Sequence, residues 1–338
     1  MVESDFRLRA LATHFSKAAI GCSTRGPFSK ARIANISKEN AMPLLRTIRS
    51  RIGRAEVVQI VEMDISGILG MLLPEATSDV MKSIPWMKPP YVDDKHRMRA
   101  VSQCFIVTTG KRVLVVDTCV GNDKHIAGFD AFAALRLDFL ATLEQAGIDR
   151  HAVTDVLCTH LHFDHVGWNT YKQDGQWLPT FPNAKYHFGK TEYEFARQGD
   201  PSDAMYEAQD ISFHESIQPV VDAGLANFID RDTDLGDGIS VFSTPGHSIG
   251  HIAIEVDAGT EKFIIGGDAM HHPVQVARPD MALVLDYDNA QSAATRHSLL
   301  SRLDGSATLF TCTHFCSPSF GLISKDPNGD YVFTGVSK

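Results

Sequence analysis

Apolar and polar positions alternate in short runs along most of the chain after Arg99, where Val, Ile and Thr are concentrated. Runs of this length and composition predict β-strands, whereas apolar residues spaced three and four apart predict helices. The predicted strands are Val101–Thr108, Arg112–Asp117, Val153–Thr159, Ala184–Phe188, Ile239–Ser243, His251–Val256, Lys262–Ile265 and Thr308–Thr311, followed by short strands near Leu322 and Val332. The predicted helices are Leu137–Ala146, Thr191–Arg197 with Thr191 as N-cap, Ile211–Ala223 and Ala290–Leu303. Many short strands interleaved with few helices predict an α/β fold of stacked sheets covered by helices.

The part of the chain before Arg99 has weaker periodicity. Residues 1–54 carry scattered arginines, and we interpret them as an N-terminal extension with a short helix near Met42–Ile52. Residues 74–91 contain four prolines together with Trp86 and Met87, which predicts a loop with an apolar tip. The remaining residues, 55–338, are predicted to form one domain whose core spans 99–338.

Composition narrows the function classes more than the fold. The chain has 338 residues and a formal net charge of −9, which disfavours nucleic acid as a partner. A chain of this length buries a core without staples, so a bound metal would serve chemistry. No run reaches the ~18 apolar residues of a membrane helix, and the N-terminus lacks an apolar signal region, so we expect a cytoplasmic protein without a membrane partner. The six cysteines are too sparse for a disulfide scaffold.

The strongest chemical signal directly follows the predicted strand that ends at Thr159. His160, His162, Asp164 and His165 place three imidazoles and a carboxylate within six residues. Alternating positions after a strand project to the same side, and the following turn can return the last two side chains to a neighbouring point. Imidazole and carboxylate ligands suit zinc, iron or manganese, and zinc is favoured for hydrolysis without redox chemistry.

Three further polar residues follow predicted strands and can complete this site. His247 lies in a Pro-Gly turn, Asp268 follows Phe263-Ile264-Ile265-Gly266-Gly267, and His314 follows the strand that ends at Thr311. Open sheets tend to place their sites at the carboxyl ends of strands. The three positions therefore predict a metal site built from distant parts of the chain.

The ordered set His160-x-His162-x-Asp164-His165, His247, Asp268 and His314 resembles the metallo-β-lactamase superfamily over roughly residues 99–338. The resemblance implies an αββα four-layer sandwich with two divalent metal ions at one edge. It also implies that His160, His162 and His247 hold one metal, that Asp164, His165 and His314 hold the other, and that Asp268 bridges both.

Neighbouring segments resemble the branch that includes methyl parathion hydrolase and related ester hydrolases: Gly167-Trp168-Asn169, Phe181-Pro182-Asn183-Ala184 and Gly267-Asp268-Ala269-Met270-His271-His272-Pro273. Acyl-homoserine lactonases have a tyrosine at the position of His271, and class B β-lactamases have a cysteine in place of Asp268. The resemblance implies a zinc esterase or lactonase in which a metal-bridging hydroxide attacks an ester, lactone or phosphotriester of a small molecule. Asp164 and Asp268 are the expected catalytic residues, and a homodimer is expected by the same resemblance.

Residues outside the metal set are predicted from their chemistry and position. Phe163, Trp168, Trp86 and His271 are candidates for substrate binding, with the proline-bounded segment around Trp86 as a lid. Asp117 is the candidate acceptor behind a metal-bound histidine. His251 is expected to be a strand residue without a role.

An iron-dependent oxidoreductase of the sulfur dioxygenase type is the alternative on the same fold. Enzymes of that type use one iron and leave the ligands of the second metal unused. The complete second set, Asp164, His165 and His314, argues against that alternative.

Overall fold

A computed structural model of the protein describes residues 45–129, 132–201 and 205–338. Most of the predicted N-terminal extension lies outside this described part of the chain. The first sheet has the strand order β1-β2-β3-β4-β5-β8-β9. Its strands are β1 (Arg46–Ile52), β2 (Ala55–Asp64), β3 (Val101–Thr109), β4 (Arg112–Val116), β5 (Asp155–Leu157), β8 (Lys185–Gly189) and β9 (Ala226–Ile229). The first four strands pair antiparallel and the last four pair parallel, so the sheet is mixed.

The second sheet follows the chain order from β10 to β16. Its strands are β10 (Thr233–Gly236), β11 (Ile239–Ser243), β12 (Ile252–Asp257), β13 (Lys262–Ile265), β14 (Leu309–Thr311), β15 (Gly321–Lys325) and β16 (Tyr331–Gly335). In this sheet, only β13 and β14 pair in parallel, and the segment that connects them contains helices. The two remaining described strands, β6 (Thr170–Gln173) and β7 (Gln176–Pro179), form a separate hairpin.

The described helices lie mainly between strands of the two sheets. They are α1 (Ser66–Leu72), α2 (Ser78–Ser83), α3 (Phe139–Gln145), α4 (Phe163–Val166), α5 (Lys190–Gln198), α6 (Tyr206–Ser212), α7 (Gln218–Asp222), α8 (Val274–Ala277) and α9 (Asn289–Leu303). A π-helical turn, Phe213–Ile217, joins α6 to α7. Among these helices, none combines the length and the apolar composition that crossing a membrane requires.

Three apolar clusters account for the layers. One cluster lies between the sheets, where Val57 and Phe105 of the first sheet pack with Ile254 and Phe263 of the second. A second cluster joins the outer face of the first sheet to α3 and to the segment around α7, and a third joins the outer face of the second sheet to α9. Helices therefore cover both outer faces, which confirms the predicted αββα sandwich.

Two predictions for the first hundred residues are wrong. The described part of the segment predicted as a helix, Arg46–Ile52, is an edge strand, because its exposed and less exposed positions alternate and it pairs along its length with β2. The segment 74–91, predicted as a loop, contains α2, whose first turn is capped by the Thr77 hydroxyl accepting from Val80 N at 3.3 Å. Thr191 is not an N-cap, since α5 already begins at Lys190.

Candidate metal centre

All seven predicted metal ligands lie at the carboxyl ends of strands, on one edge of the sandwich. His160 and His162 follow β5, and α4 carries Asp164 and His165 in its single turn. The other three ligands lie in the loop between β11 and β12, after β13 and after β14; they are His247, Asp268 and His314. The parallel strand pairs bring these loops to the same edge, and the structure brings the seven side chains together.

The first group of candidate ligands consists of three imidazoles. His162 Nδ1 lies 3.0 Å from His160 Nε2 and 3.0 Å from His247 Nε2. The rings of His160 and His247 are steeply inclined to that of His162, at 80° and 81°, so their nitrogens point at a common centre rather than stacking. Such convergence of three ring nitrogens is the arrangement that a cation requires.

The second group is organised around the carboxylate of Asp268. Its Oδ2 lies 3.2 Å from Nε2 of His165, 3.2 Å from Nε2 of His314 and 3.6 Å from Nε2 of His247. The Asp164 carboxylate lies 3.7 Å from His165 Nε2 and 3.6 Å from His314 Nε2. Asp268 therefore lies within reach of both groups.

The hydrogen bonds at the outer nitrogens of the rings, Nδ1, show whether the inner nitrogens, Nε2, are able to bind cations. The carboxylate of Asp117 and the main-chain oxygen of Val101 can only accept, so Nδ1 of His165 and Nδ1 of His314 carry protons, at 2.9 Å in both cases. In the neutral rings, the Nε2 atoms then direct lone pairs at the Asp268 carboxylate, which is repulsive without positive charge between them. His165 Nε2 and Asp268 Oδ1 are also buried without a hydrogen-bond partner. The donor set therefore fits divalent metal ions.

The pKa shifts express the same requirement for positive charge. Burial lowers the pKa of His160 and of His162 well below the usual value, so both rings are neutral at neutral pH and able to bind a cation. Burial also opposes protonation of His165, but the surrounding carboxylates raise the pKa of this imidazole well above its usual value. Burial acts to raise the pKa of Asp268, but His165 and His314 lower it well below the usual range.

Asp117 holds the second group from behind, as the sequence predicted. Its buried carboxylate accepts from His165 Nδ1 at 2.9 Å, from the main-chain N–H of Thr159 at 2.8 Å and from the Thr313 hydroxyl at 3.0 Å. Thr313 precedes His314, so a single carboxylate fixes the loops that carry two candidate ligands.

Asp286 holds His247 from behind in the same way, and the sequence analysis did not predict this residue. Its Oδ1 lies 3.0 Å from His247 Nδ1, and the fully buried guanidinium of Arg296 lies 3.5 Å from its other oxygen. Burial acts to raise the pKa of Asp286, but the contact with His247 holds it well below the usual value. No local pattern marks Asp286, which lies 39 residues from its partner in the chain.

His251 and His271 also touch the centre. His251 Nε2 accepts from the main-chain N–H of Asp268 at 3.0 Å, a contact that the expectation of a residue without a role does not account for. His271 Nε2 lies 3.0 Å from Asp268 Oδ2, and its ring stacks against His314 at 5.7 Å between centroids. Because His271, Asp268 and His247 also form a compact group of possible ligands, His271 belongs to the candidate centre.

A cavity of about 950 Å³ opens above these side chains. Three aromatic rings form one wall, those of Phe129, Phe132 and Phe163. The ring centroid of Phe163 lies 5.5 Å from the centroid of each of the other two rings. The α1 segment also contributes Ile68 and Leu72 to the lining. The volume is at the upper end of the range of about 300–1,000 Å³ that small-molecule sites occupy.

The four residues predicted to bind substrate fall in different places. Phe163 and His271 line the cavity, so their predicted role stays open. Trp168 is buried in the core, where its ring stacks on Phe139 at 4.7 Å and its Nε1 donates to Glu62 at 2.9 Å, so its predicted contact with substrate is wrong. Trp86 packs against the apolar cluster that joins the outer face of the second sheet to α9. It is not among the described residues that line the cavity. The apolar residues of the proline-bounded segment turn inward, and α1 borders the cavity in place of the predicted lid.

The sequence profile of the metallo-β-lactamase superfamily matches residues 98–314, which contain all seven candidate ligands. This chain belongs to the metallo-β-lactamase superfamily. Members of the superfamily use divalent metal ions, typically zinc.

Solved structures support the fold at low sequence identity. The hydrolase AbOPH of the β-lactamase superfamily is 20% identical, with a TM-score of 0.70 over 89% of this chain and 99% of its own. AidC, a dizinc quorum-quenching lactonase, is 22% identical, with a TM-score of 0.69 over 87% of this chain and 99% of its own. A probable metal-dependent hydrolase from Staphylococcus aureus is 17% identical, with a TM-score of 0.63 over 86% of this chain and 100% of its own.

Curated relatives have a different kind of name. The cytochrome P450 monooxygenase mpaDE of Penicillium roqueforti is 24% identical over 240 residues, which are 62% of this chain and 26% of that protein. This chain spans about a quarter of the length of the curated relatives that it matches. Most of the length of these monooxygenases has no counterpart in this chain. Their name therefore does not support the iron-dependent alternative.

Proposed function

We propose that this protein is a zinc-dependent hydrolase that cleaves an ester, lactone or phosphotriester bond of an uncharged small molecule. His160, His162 and His247 would hold one zinc ion, Asp164, His165 and His314 the other, and Asp268 would contact both. When bound, the two cations would lower the pKa of a water and would stabilise negative charge at the bond under attack. The observation that carries the proposal is the meeting of two ligand groups at Asp268, on the floor of an apolar cavity.

The protein groups have separable tasks in this proposal. Asp268 and Asp164 would supply negative charge that holds the cations and would orient the attacking water. Asp117 and Asp286 keep the outer nitrogens of His165 and His247 protonated, which leaves Nε2 of each ring free as a ligand. His271, whose Nε2 lies 3.0 Å from Asp268 Oδ2, lines the cavity, where it could contact a leaving group.

The cavity lining favours uncharged substrates over anionic ones. Its described residues include no lysine or arginine, whereas Asp200 and Asp210 are among the residues that line it. A carboxylate or a phosphate monoester would find no cationic side chain there, and nucleic acid is disfavoured for the same reason. The aromatic wall instead provides a surface for an apolar acyl or aryl group.

Elemental analysis and a substrate panel test the proposal together. Purified protein should contain about two zinc ions per chain, and it should hydrolyse uncharged p-nitrophenyl esters, lactones or phosphotriesters. Asp268→Ala should abolish turnover and lower metal content, whereas Asp280→Ala, at an exposed carboxylate paired with His297, should change neither. A single iron per chain, or full activity of Asp268→Ala, would contradict the proposal.

A further inference from the structure

A buried glutamate outside the ligand set connects the two loops that carry the first ligand group. Glu192 lies in the first turn of α5 and is only 4% exposed. Its Oε1 accepts from the main-chain N–H of Leu161 at 3.3 Å. Its Oε2 accepts from Gly250 N at 2.8 Å and from the Ser248 hydroxyl at 3.0 Å. One carboxylate thus takes three hydrogen bonds from two chain segments.

The positions of these donors relate Glu192 to the ligands. Leu161 lies between His160 and His162, and Ser248 directly follows His247. The three rings must keep their nitrogens about a common point, although the two loops are separated by 85 residues of chain. A fixed acceptor between the loops is therefore a means of holding that geometry.

The packing shows that α5 and the second loop are built to approach closely. A Cβ atom added at Gly250 would lie 2.5 Å from Glu192 N, a distance that would force the helix away. A Cβ atom added at Gly189 would lie 3.3 Å from the carbonyl oxygen of Gly250. The two glycines allow the start of the helix to contact the loop, which brings the carboxylate within reach of both segments.

We infer that Glu192 is a positioning residue that sets the spacing of His160, His162 and His247 by tying the loop of Leu161 to the loop of Gly250. The inference rests on the proposed function, because it concerns the affinity of the metal that these three histidines would hold. Neutral replacements of the same shape cannot substitute for the carboxylate. A glutamine has one acceptor oxygen, so its amide nitrogen must face a main-chain N–H on one of the two loops.

The experiment isolates each metal site before the glutamate is changed. Glu192→Gln is placed in a His314→Ala background, which leaves the first ligand group intact, and in a His162→Ala background, which leaves the second. Zinc affinity is measured by competition with a chromophoric chelator. We expect a loss of about 10–100-fold in the first background, the range found for residues that orient metal ligands, and little change in the second. Glu194→Gln, at an exposed position of the same helix, is the matched control and should leave both affinities unchanged.

The outcomes separate this inference from the proposed function. If the unsubstituted chain binds no zinc, the proposed function fails and the inference with it. If that chain binds two zinc ions and Glu192→Gln binds zinc with unchanged affinity in the first background, only the inference fails. An equal loss in both backgrounds also overturns it, because a general loosening of the fold would then explain the effect. Ser248→Ala, which removes one hydrogen bond and keeps the carboxylate, guards against misfolding and should weaken the first site severalfold.

Discussion

Replacing Asp117 by asparagine tests how strongly the outer hydrogen bonds govern the candidate metal centre. Asp117 has a φ of +54°, in the left-handed region that asparagine tolerates, so the substitution adds little backbone strain. The change therefore acts on the hydrogen bonds alone. The carboxylate accepts from Thr159 N, from the hydroxyls of Thr159 and Thr313, and from His165 Nδ1.

The size of the effect of Asp117→Asn depends on which hydrogen-bond donors can reorient toward the new amide. The threonine hydroxyls can rotate and accept from the new amide nitrogen, but Thr159 N–H and His165 Nδ1–H cannot. Because these two donors contact different oxygens of Asp117, the asparagine amide must face one of them. One buried N–H loses its acceptor, which costs about 1–3 kcal/mol of stability. If the amide faces His165, the tautomer of the ring is no longer fixed, and zinc affinity should fall by about 10–100-fold.

The assay combines zinc competition titration with urea unfolding of the metal-free protein. Asp174→Asn is the matched control, since Asp174 also has a positive φ of +51° but lies at an exposed turn between β6 and β7. It should leave zinc affinity and stability unchanged. If Asp117→Asn binds zinc at both sites as tightly as Asp174→Asn does, the reasoning is refuted, because the contact with His165 would then be dispensable.

Three further predictions concern packing, titration and the cavity. Gly167→Ala should lower the free energy of unfolding, measured by urea denaturation, by about 3 kcal/mol, because the added Cβ would lie 1.8 Å from Val120 O. Gly67 has open space around it, so Gly67→Ala should change the free energy of unfolding by less than about 1 kcal/mol. Burial lowers the pKa of Lys124 to about 7, so the folded state binds fewer protons than the unfolded state between about pH 7 and 10, and its contribution to stability should rise with pH there. Lys124→Met should remove that rise in urea denaturation at pH 7, 8 and 9; an unchanged slope would contradict the assignment. Ile68→Trp should narrow the cavity and lower kcat/KM for long-chain esters about tenfold relative to acetyl esters without changing metal content, and equal effects on both would argue against α1 as a substrate wall.

The sequence predicts several of the parts of the fold that have strong local signals. The strands that carry the ligands are buried apolar runs, and β3, β4, β12 and β13 lie within one residue or so of their predicted bounds. The ligand cluster after β5 could be found because its four members are adjacent in the chain. Edge strand β1 could not, since its exposed and charged positions, RTIRSRI, carry no apolar run and its pairing with β2 is a tertiary contact.

Partners that act over a long distance in the chain leave no local pattern. Asp286 and Glu192 look like ordinary loop and helix carboxylates in the sequence, and only the fold brings them against the ligand loops. Trp168 shows the reverse error. An aromatic residue beside the ligand cluster suggests substrate contact, yet the 3₁₀ turn Gly167–Asn169 directs its ring to Phe139 in the core.

The buried carboxylates explain how loops, which lack the pairing of a sheet, hold the candidate ligands in place. Glu62 shows the principle away from the ligands: it accepts from the N–H groups of Val120 and Gly121 and from Trp168 Nε1, and so joins the loop after β4 to the turn after α4. Asp117, Glu192 and Asp286 use the same device nearer the centre. Burying a carboxylate is costly unless its oxygens are fully hydrogen-bonded, so each of these side chains is stable only in the loop arrangement that supplies its donors. Loop geometry and carboxylate burial therefore stabilise each other. None of these four carboxylates belongs to α1, so we expect substitutions in that part of the cavity lining to change substrate preference without changing the metal centre.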